Sequence, residues 1–253
     1  MSDFPEPAPY QPQQPQFVRV GLPIVKPYVT YALIAVTILI YLGQIAGPLL
    51  FHTDQLTLLG IKDGPDIRAG EIWRLITPVF LHGSIYHIGF NMYALYAFGR
   101  GLEPRFGHLR FAALYFLAGF AGNVLSFVLT PAASLGASTA IFGLITAEGI
   151  FLYQNRKLLG QQANRAIGNI VMVAAVNLFL GMSPGIDNWG HIGGLLGGLL
   201  FAWFGGPRWK VEGMFPSLYL ADERQGHGLW AGVAAVLIVF LPLAAIGFLY
   251  PAG

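Results

Sequence analysis

Stretches free of charged side chains divide the chain into long apolar runs at residues 28–50, 75–99, 111–135, 166–186, 188–207 and 225–253. A further run, 136–153, is interrupted only by Glu148. Each is close to the ~20 residues a helix needs to cross a bilayer. The 111–147 stretch carries no charge and is too long for one span. The Thr130-Pro131 pair, followed by small residues, is its natural break. The pattern predicts an all-α polytopic membrane protein with seven spanning helices. Residues 1–27, which open Pro- and Gln-rich, read as a disordered tail. The first apolar run has full span length and sits behind that tail, so it is expected to stay in place rather than be removed as a leader.

Composition agrees with the pattern and narrows the chemistry. Hydrophobic residues make up 55% of the 253 positions and charged residues 10%, with a mean hydropathy of +0.60. Soluble domains carry roughly 25% charged residues, which excludes a soluble fold of this length. A net charge of +2 without a basic cluster gives no nucleic-acid footprint. Zero cysteines exclude disulfides, thiolate metal sites and a cysteine nucleophile.

The positions of the cations predict orientation. Arg19, Lys26, Arg100, Arg105, Arg110, Arg156, Lys157, Arg165, Arg208, Lys210 and Arg224 fall on one side of the seven spans, and Lys62, Arg68 and Arg74 on the other. The N-terminus is therefore expected in the cytoplasm and the C-terminus on the outer face. The second, fourth and sixth spans then all run from outside to inside. Residues 1–27 become a cytoplasmic tail, 28–207 a six-helix core, 208–224 a cytoplasmic linker and 225–253 a seventh spanning helix.

Polar groups are costly in hydrocarbon, so the few inside the spans are informative. The second span carries His82, His87 and Asn91, the last two four apart and on one helix face. The fourth opens on GASTAIFG (136–143) with Ser138, and the sixth on DNWGHIGGLLGG (187–198) with His191. All three clusters are expected at one depth, just below the outer surface. A serine, a histidine and side-chain hydrogen-bond donors at one depth are the parts for acyl transfer. Singly, each has a plainer reading: Ser138 as a helix cap, a histidine bonded to a neighbouring helix, and glycines that let helices approach.

At this point the residues resemble the rhomboid family of intramembrane serine proteases. Trp73-Arg74 looks like the family's loop-1 signature, and His82, His87 and Asn91 fit the H-x4-H-x3-N pattern of its second helix. Glu103 and Gly107 resemble the acidic and glycine positions of the following loop. Gly136-Ala137-Ser138 fits G-x-S, and His191, Gly194 and Gly198 fit H-x2-G-x3-G. The resemblance covers roughly 28–207, and a C-terminal seventh helix is similar to the "6+1" form. Where the family pattern continues G-x-S-G, this chain has Thr139. A β-branched residue is stiff and avoids positive φ, so Thr139 bears on the turn that presents the serine N–H. It is read as a tolerated variation.

By this resemblance Ser138 is the nucleophile and His191 its general base in a dyad without a third carboxylate or any cofactor or metal. Asp187, four residues before His191, is not expected to complete a triad. Asn91, His87 and the Ser138 N–H form the implied oxyanion hole. Phe142 is expected against the histidine ring, and Gly194 and Gly198 are expected to press on Ala140 and Gly143. The implied substrates are single-span or other transmembrane proteins, cut in the bilayer at a water-fed cavity open to the outer face of a prokaryotic plasma membrane. Glu148, about 15 Å beyond Ser138 along the helix, has no role in this chemistry and is expected to be protonated or bonded to another helix. Two other readings use the same residues: a catalytically impaired binding or escort protein on this scaffold, and a proton-coupled transporter relaying through His82, His87, His191 and Glu148.

Overall fold

The computed structural model describes residues 25–250 and places most of them in helices. Helix α1 (Tyr28–Phe51) leads into a loop with two short helices, α2 (Gln55–Gly60) and α3 (Gly64–Arg68), and two 3-10 turns, Ile72–Leu75 and Thr77–Phe80. Then come α4 (Ile85–Phe106), α5 (His108–Leu129), α6 (Ser138–Gln154), the single turn α7 (Arg156–Leu159), α8 (Gln161–Leu180) and α9 (Asn188–Gly205). A hairpin of β1 (Trp209–Glu212) and β2 (Tyr219–Asp222) precedes α10 (Gly228–Leu249). Most of the tail expected over 1–27, and the end of the last span, lie outside the described residues.

Four of the long helices, α1, α5, α8 and α10, are long and apolar enough to cross a membrane. The remaining long ones, α4, α6 and α9, fall short in length or hydropathy. They are the three that carry the polar clusters, so the deficit sits where the candidate chemistry sits.

Several boundaries differ from the apolar runs, for local reasons. The run 75–99 does not form one helix. Thr77-Pro78 holds its first part in a 3-10 turn, and α4 starts only after Ser84, whose Oγ accepts the His87 N–H at 3.2 Å. The same helix then continues past the run through Arg100, Glu103 and Arg105, because these charges find partners. Glu103 is fully buried and accepts from Val29 N–H, Thr30 N–H and the Thr30 hydroxyl at 2.8, 2.7 and 2.6 Å, holding the start of α1. Arg105 meets Glu148 of α6 at 2.6 Å, which is the interhelical partner Glu148 needed. The run 111–135 is shifted to α5, which begins after Gly107 at φ +79° and ends before Thr130-Pro131. Residues 208–224, expected as a linker, fold as the hairpin, in the register Trp209↔Asp222 to Glu212↔Tyr219.

Helices α5, α6 and α9 form the centre of the molecule. Helix α9 presents buried glycines to both neighbours. A Cβ at Gly194 would collide with the Thr139 carbonyl, one at Gly198 with Gly143, and one at Gly193 would stand 2.6 Å from the Ala121 carbonyl. Backbones in contact leave no room for water between them, which seats α9 closely on α5 and α6. Gly194 therefore seats on Thr139 rather than on Ala140 as expected. Helix α10 closes on α9 through Gly205 and Gly232 and on α5 through Gly247, which faces the Phe127 ring.

Candidate active site

The segment before α6 brings Ser138 to the start of its helix. Gly136 has φ +134°, which L side chains rarely adopt, and a Cβ there would lie 2.7 Å from His87 Nε2. Its N–H donates to the Pro78 carbonyl at 2.9 Å. The Ala137 N–H points to His82 Nε2 at 3.4 Å. The chain turns helical at Ala137, so the Ser138 N–H is one of the first-turn donors without an intrahelical acceptor.

His191 lies in the first turn of α9, 8% exposed, with Nε2 2.9 Å from Ser138 Oγ. Its ring stacks on Phe142 at a centroid distance of 4.3 Å and an interplanar angle of 21°. His191 Nδ1 is buried and has no hydrogen-bond partner among the described residues. Asp187 is engaged elsewhere: it caps α9 by accepting the Gly190 N–H at 2.9 Å and takes the Ser126 hydroxyl of α5 at 2.5 Å. The serine and histidine therefore pair without a carboxylate behind them.

His87 and Asn91 lie beside this pair on α4. The position a Cβ would take on Gly136 is 2.7 Å from His87 Nε2 and 3.6 Å from Ser138 Oγ, so the two side chains flank the same small space. Asn91 is buried and its Nδ2 donates to the His87 carbonyl at 2.9 Å. His82 stands behind them, buried, with its ring edge-on to His87 at 5.0 Å.

The other sequence-derived residues are distributed more widely. Trp73 Nε1 donates to the Leu59 carbonyl at 2.9 Å, and the buried Arg74 binds Asp66, Glu71 and the Ile61 carbonyl at 2.9, 2.7 and 3.0 Å. Both fasten the loop after α1 and do not touch the serine–histidine pair. Glu103 is about 18 Å from Asn91 along α4 and is not brought to the site. Thr139 is helical, with no positive φ, so it does not distort the turn as its branching suggested. Space for it is made by neighbours without side chains: a Cβ on Gly122 would come 2.6 Å from Thr139 Cβ, and one on Gly190 3.1 Å from its Cγ2.

Three bracing residues carried no readable signal. Gln44 of α1 accepts the His82 N–H at 3.1 Å and donates to Thr57 Oγ1 at 2.7 Å. Asn123 of α5 donates to the Leu75 carbonyl at 3.1 Å. Lys62 holds the segment before Ser138. All three are single polar residues whose partners are distant in sequence and mostly backbone, a relation that no local spacing encodes.

Comparison with known proteins gives a consistent answer. A family model described as a Rhomboid domain matches residues 69–208. The chain is 39% identical to the Rhomboid protease GluP of Bacillus subtilis (strain 168) over 228 residues, covering 89% of this chain and 40% of that protein. It is 38% identical to RHOMBOID-like protein 6, mitochondrial, of Arabidopsis thaliana over 148 residues, 58% of this chain and 48% of the relative. It is 31% identical to Rhomboid-like protease 3 of Toxoplasma gondii over 198 residues, 77% and 73% of the two chains. The chain thus spans less than half the length of the first two relatives. With the domain match covering more than half of the sequence and apolar helices of membrane-crossing length around it, this integral membrane protein belongs to the rhomboid family.

Proposed function

We propose that this protein is an intramembrane serine endopeptidase that hydrolyses a peptide bond in or near the transmembrane segment of membrane-protein substrates. The observation that carries the reading is the 2.9 Å separation of His191 Nε2 and Ser138 Oγ, on a ring fixed by Phe142. That is hydrogen-bond reach for a base and its nucleophile. The names of the Bacillus and Toxoplasma relatives, both called proteases, support it.

In this reading His191 Nε2 takes the Ser138 proton as Oγ attacks the scissile carbonyl, then returns it to the leaving amine. The acyl group left on Ser138 is released by water, with His191 again the base. The oxyanion is held by the Ser138 N–H, by His87 Nε2 in its protonated tautomer and by Asn91 Nδ2, which swings from the His87 carbonyl to the substrate. The α6 N-terminus adds its dipole. A cavity of about 280 Å³ opens beside His82, with Gln44, Asp54 and Thr57 as polar and Tyr41, Ile45 and Leu135 as apolar lining, and it has room for water near the proposed site. Helices α1, α4, α5, α6, α8, α9 and α10 would all span, with 28–207 as the catalytic core. The N-terminus would be cytoplasmic and the site open to the outer face of a prokaryotic plasma membrane. The hairpin would then lie on the cytoplasmic side.

The deciding experiment compares wild type with Ser138→Ala and His191→Ala in cleavage of a single-span substrate and in labelling by a fluorophosphonate. Wild type is expected to cleave and to label, and both variants to do neither. Equal behaviour of wild type and Ser138→Ala would end the protease reading and favour a binding or escort role.

A further inference from the structure

Lys62 takes no part in the chemistry above, yet its side chain is completely buried, at 0% exposure. An ammonium group taken out of water is unfavourable unless it is paired. What Lys62 meets is the segment that leads into Ser138. Its Nζ donates to the Ala132 carbonyl. Its backbone pairs with Ser134 in both directions, Lys62 N–H to the Ser134 carbonyl and Ser134 N–H to the Lys62 carbonyl, each at 3.0 Å. Ser134 stands four residues before Ser138. Downstream, the hydrogen bonds of the same segment among the described residues are that of Gly136 to Pro78 and the longer Ala137 contact with His82.

The charges that act on Lys62 are Asp187 of the α9 cap and Asp63, which favour its charged form, and Arg68, which opposes it. Burial pulls its pKa below the ordinary lysine value, and the two carboxylates restore part of the loss. Lys62 is thus buried against the segment delivering the serine, and burial works against its charge.

We propose that Lys62 is a positioning residue: by clamping residues 132–134 to the loop after α1, it sets where Ser138 arrives relative to His191. This rests on the protease reading, and the experiment keeps the two separable. The chain has no cysteine, so the clamp is replaceable by a reversible bond. A hydrogen-bonded antiparallel pair has Cα atoms about 5.5 Å apart, within the ~4.4–6.8 Å that a disulfide bridges.

The test uses the full chain carrying Lys62→Met, and separately Lys62→Cys with Ser134→Cys, the latter reduced and oxidised. Measured are fluorophosphonate labelling per folded molecule, kcat and KM on a single-span substrate, the melting temperature, and amide exchange over 131–137. Lys62→Met is expected to melt close to wild type, because loss of the Ala132 bond is offset by relief from burying an ammonium. Its labelling rate and kcat should nevertheless fall about tenfold with KM unchanged, since small misplacements at a reacting centre cost rate rather than affinity. Exchange over 131–137 should quicken. The reduced double variant should behave the same way, and oxidation should restore labelling. The proposal is overturned if Lys62→Met labels within about twofold of wild type, or if oxidised and reduced double variants label alike. Should Lys62→Met fail to fold, the double variant decides. Should wild type itself not label, the protease reading falls and exchange decides the clamp: unchanged protection over 131–137 overturns it.

Discussion

Asp187 shows how a single side chain's hydrogen bonds bear on a role that its position leaves open. Four residues before His191, it has the spacing of a third catalytic group, but its oxygens are occupied by Gly190 and Ser126 while His191 Nδ1 stays unpartnered among the described residues. Asp187→Asn keeps a competent cap and is therefore expected to retain activity within about tenfold, whereas loss of a true triad acid costs about 10⁴-fold. A kcat measurement separates the two. Thr139 is the second case. Its hydroxyl is buried with no partner among the described residues, and such a group costs roughly 1–3 kcal/mol. Thr139→Val is expected to raise the melting temperature and to leave fluorophosphonate labelling unchanged. At this scale the sequence exposed Ser138, His191, His87 and Asn91 because polar residues are rare in apolar runs. It concealed Lys62, Gln44 and Asn123 because they act on distant backbone groups.

Among the elements, α9 carries the sharpest steric demand. Gly194→Val would drive its side chain into the Thr139 carbonyl and push α9 away from α6. The Ser138–His191 distance opens with it, so labelling is expected to fall about 100-fold or more in protein that still folds. Wild-type labelling by a folded Gly194→Val variant would refute this account of the glycines. At the far end of α4, Glu103 holds α1 through three donors and also meets the His108 ring at the start of α5, whose Nδ1 is 2.6 Å away. Glu103→Ala strands buried donors and is expected to cost about 3 kcal/mol or more, read as a lower melting temperature. The remaining folded protein should keep its labelling rate, because Glu103 lies far from Ser138. The existence of the long helices was legible, since an uninterrupted apolar run has few other uses. Their ends were less so: Ser84 and Gly107 set boundaries that hydropathy alone placed elsewhere.

The whole molecule is tied at both ends. On the end that holds the loop after α1, Arg68 Nε donates to the Gly247 carbonyl at 3.0 Å, attaching the end of α10. On the other, Arg110 of α5 binds Asp222 of the hairpin and the Arg224 carbonyl. Asp222→Ala leaves Arg110 buried without its counter-charge and is expected to destabilise by about 3–5 kcal/mol. A thermal melt that moves little would show that α10 and the hairpin are not bound to the core this way.

The sequence by itself determined that this chain lives in a bilayer, which residues are too polar to be there without purpose, and which family those residues resemble. Solvent preference and motif spacing are properties of the chain alone. The tertiary structure decided the rest. It put His191 Nε2 on Ser138 Oγ, spent Asp187 on a cap, gave Glu148 to Arg105, and buried Lys62 against the segment before the serine. Each depends on which helices lie side by side and how closely. That is set by glycine contacts and backbone acceptors brought together only when the chain is folded.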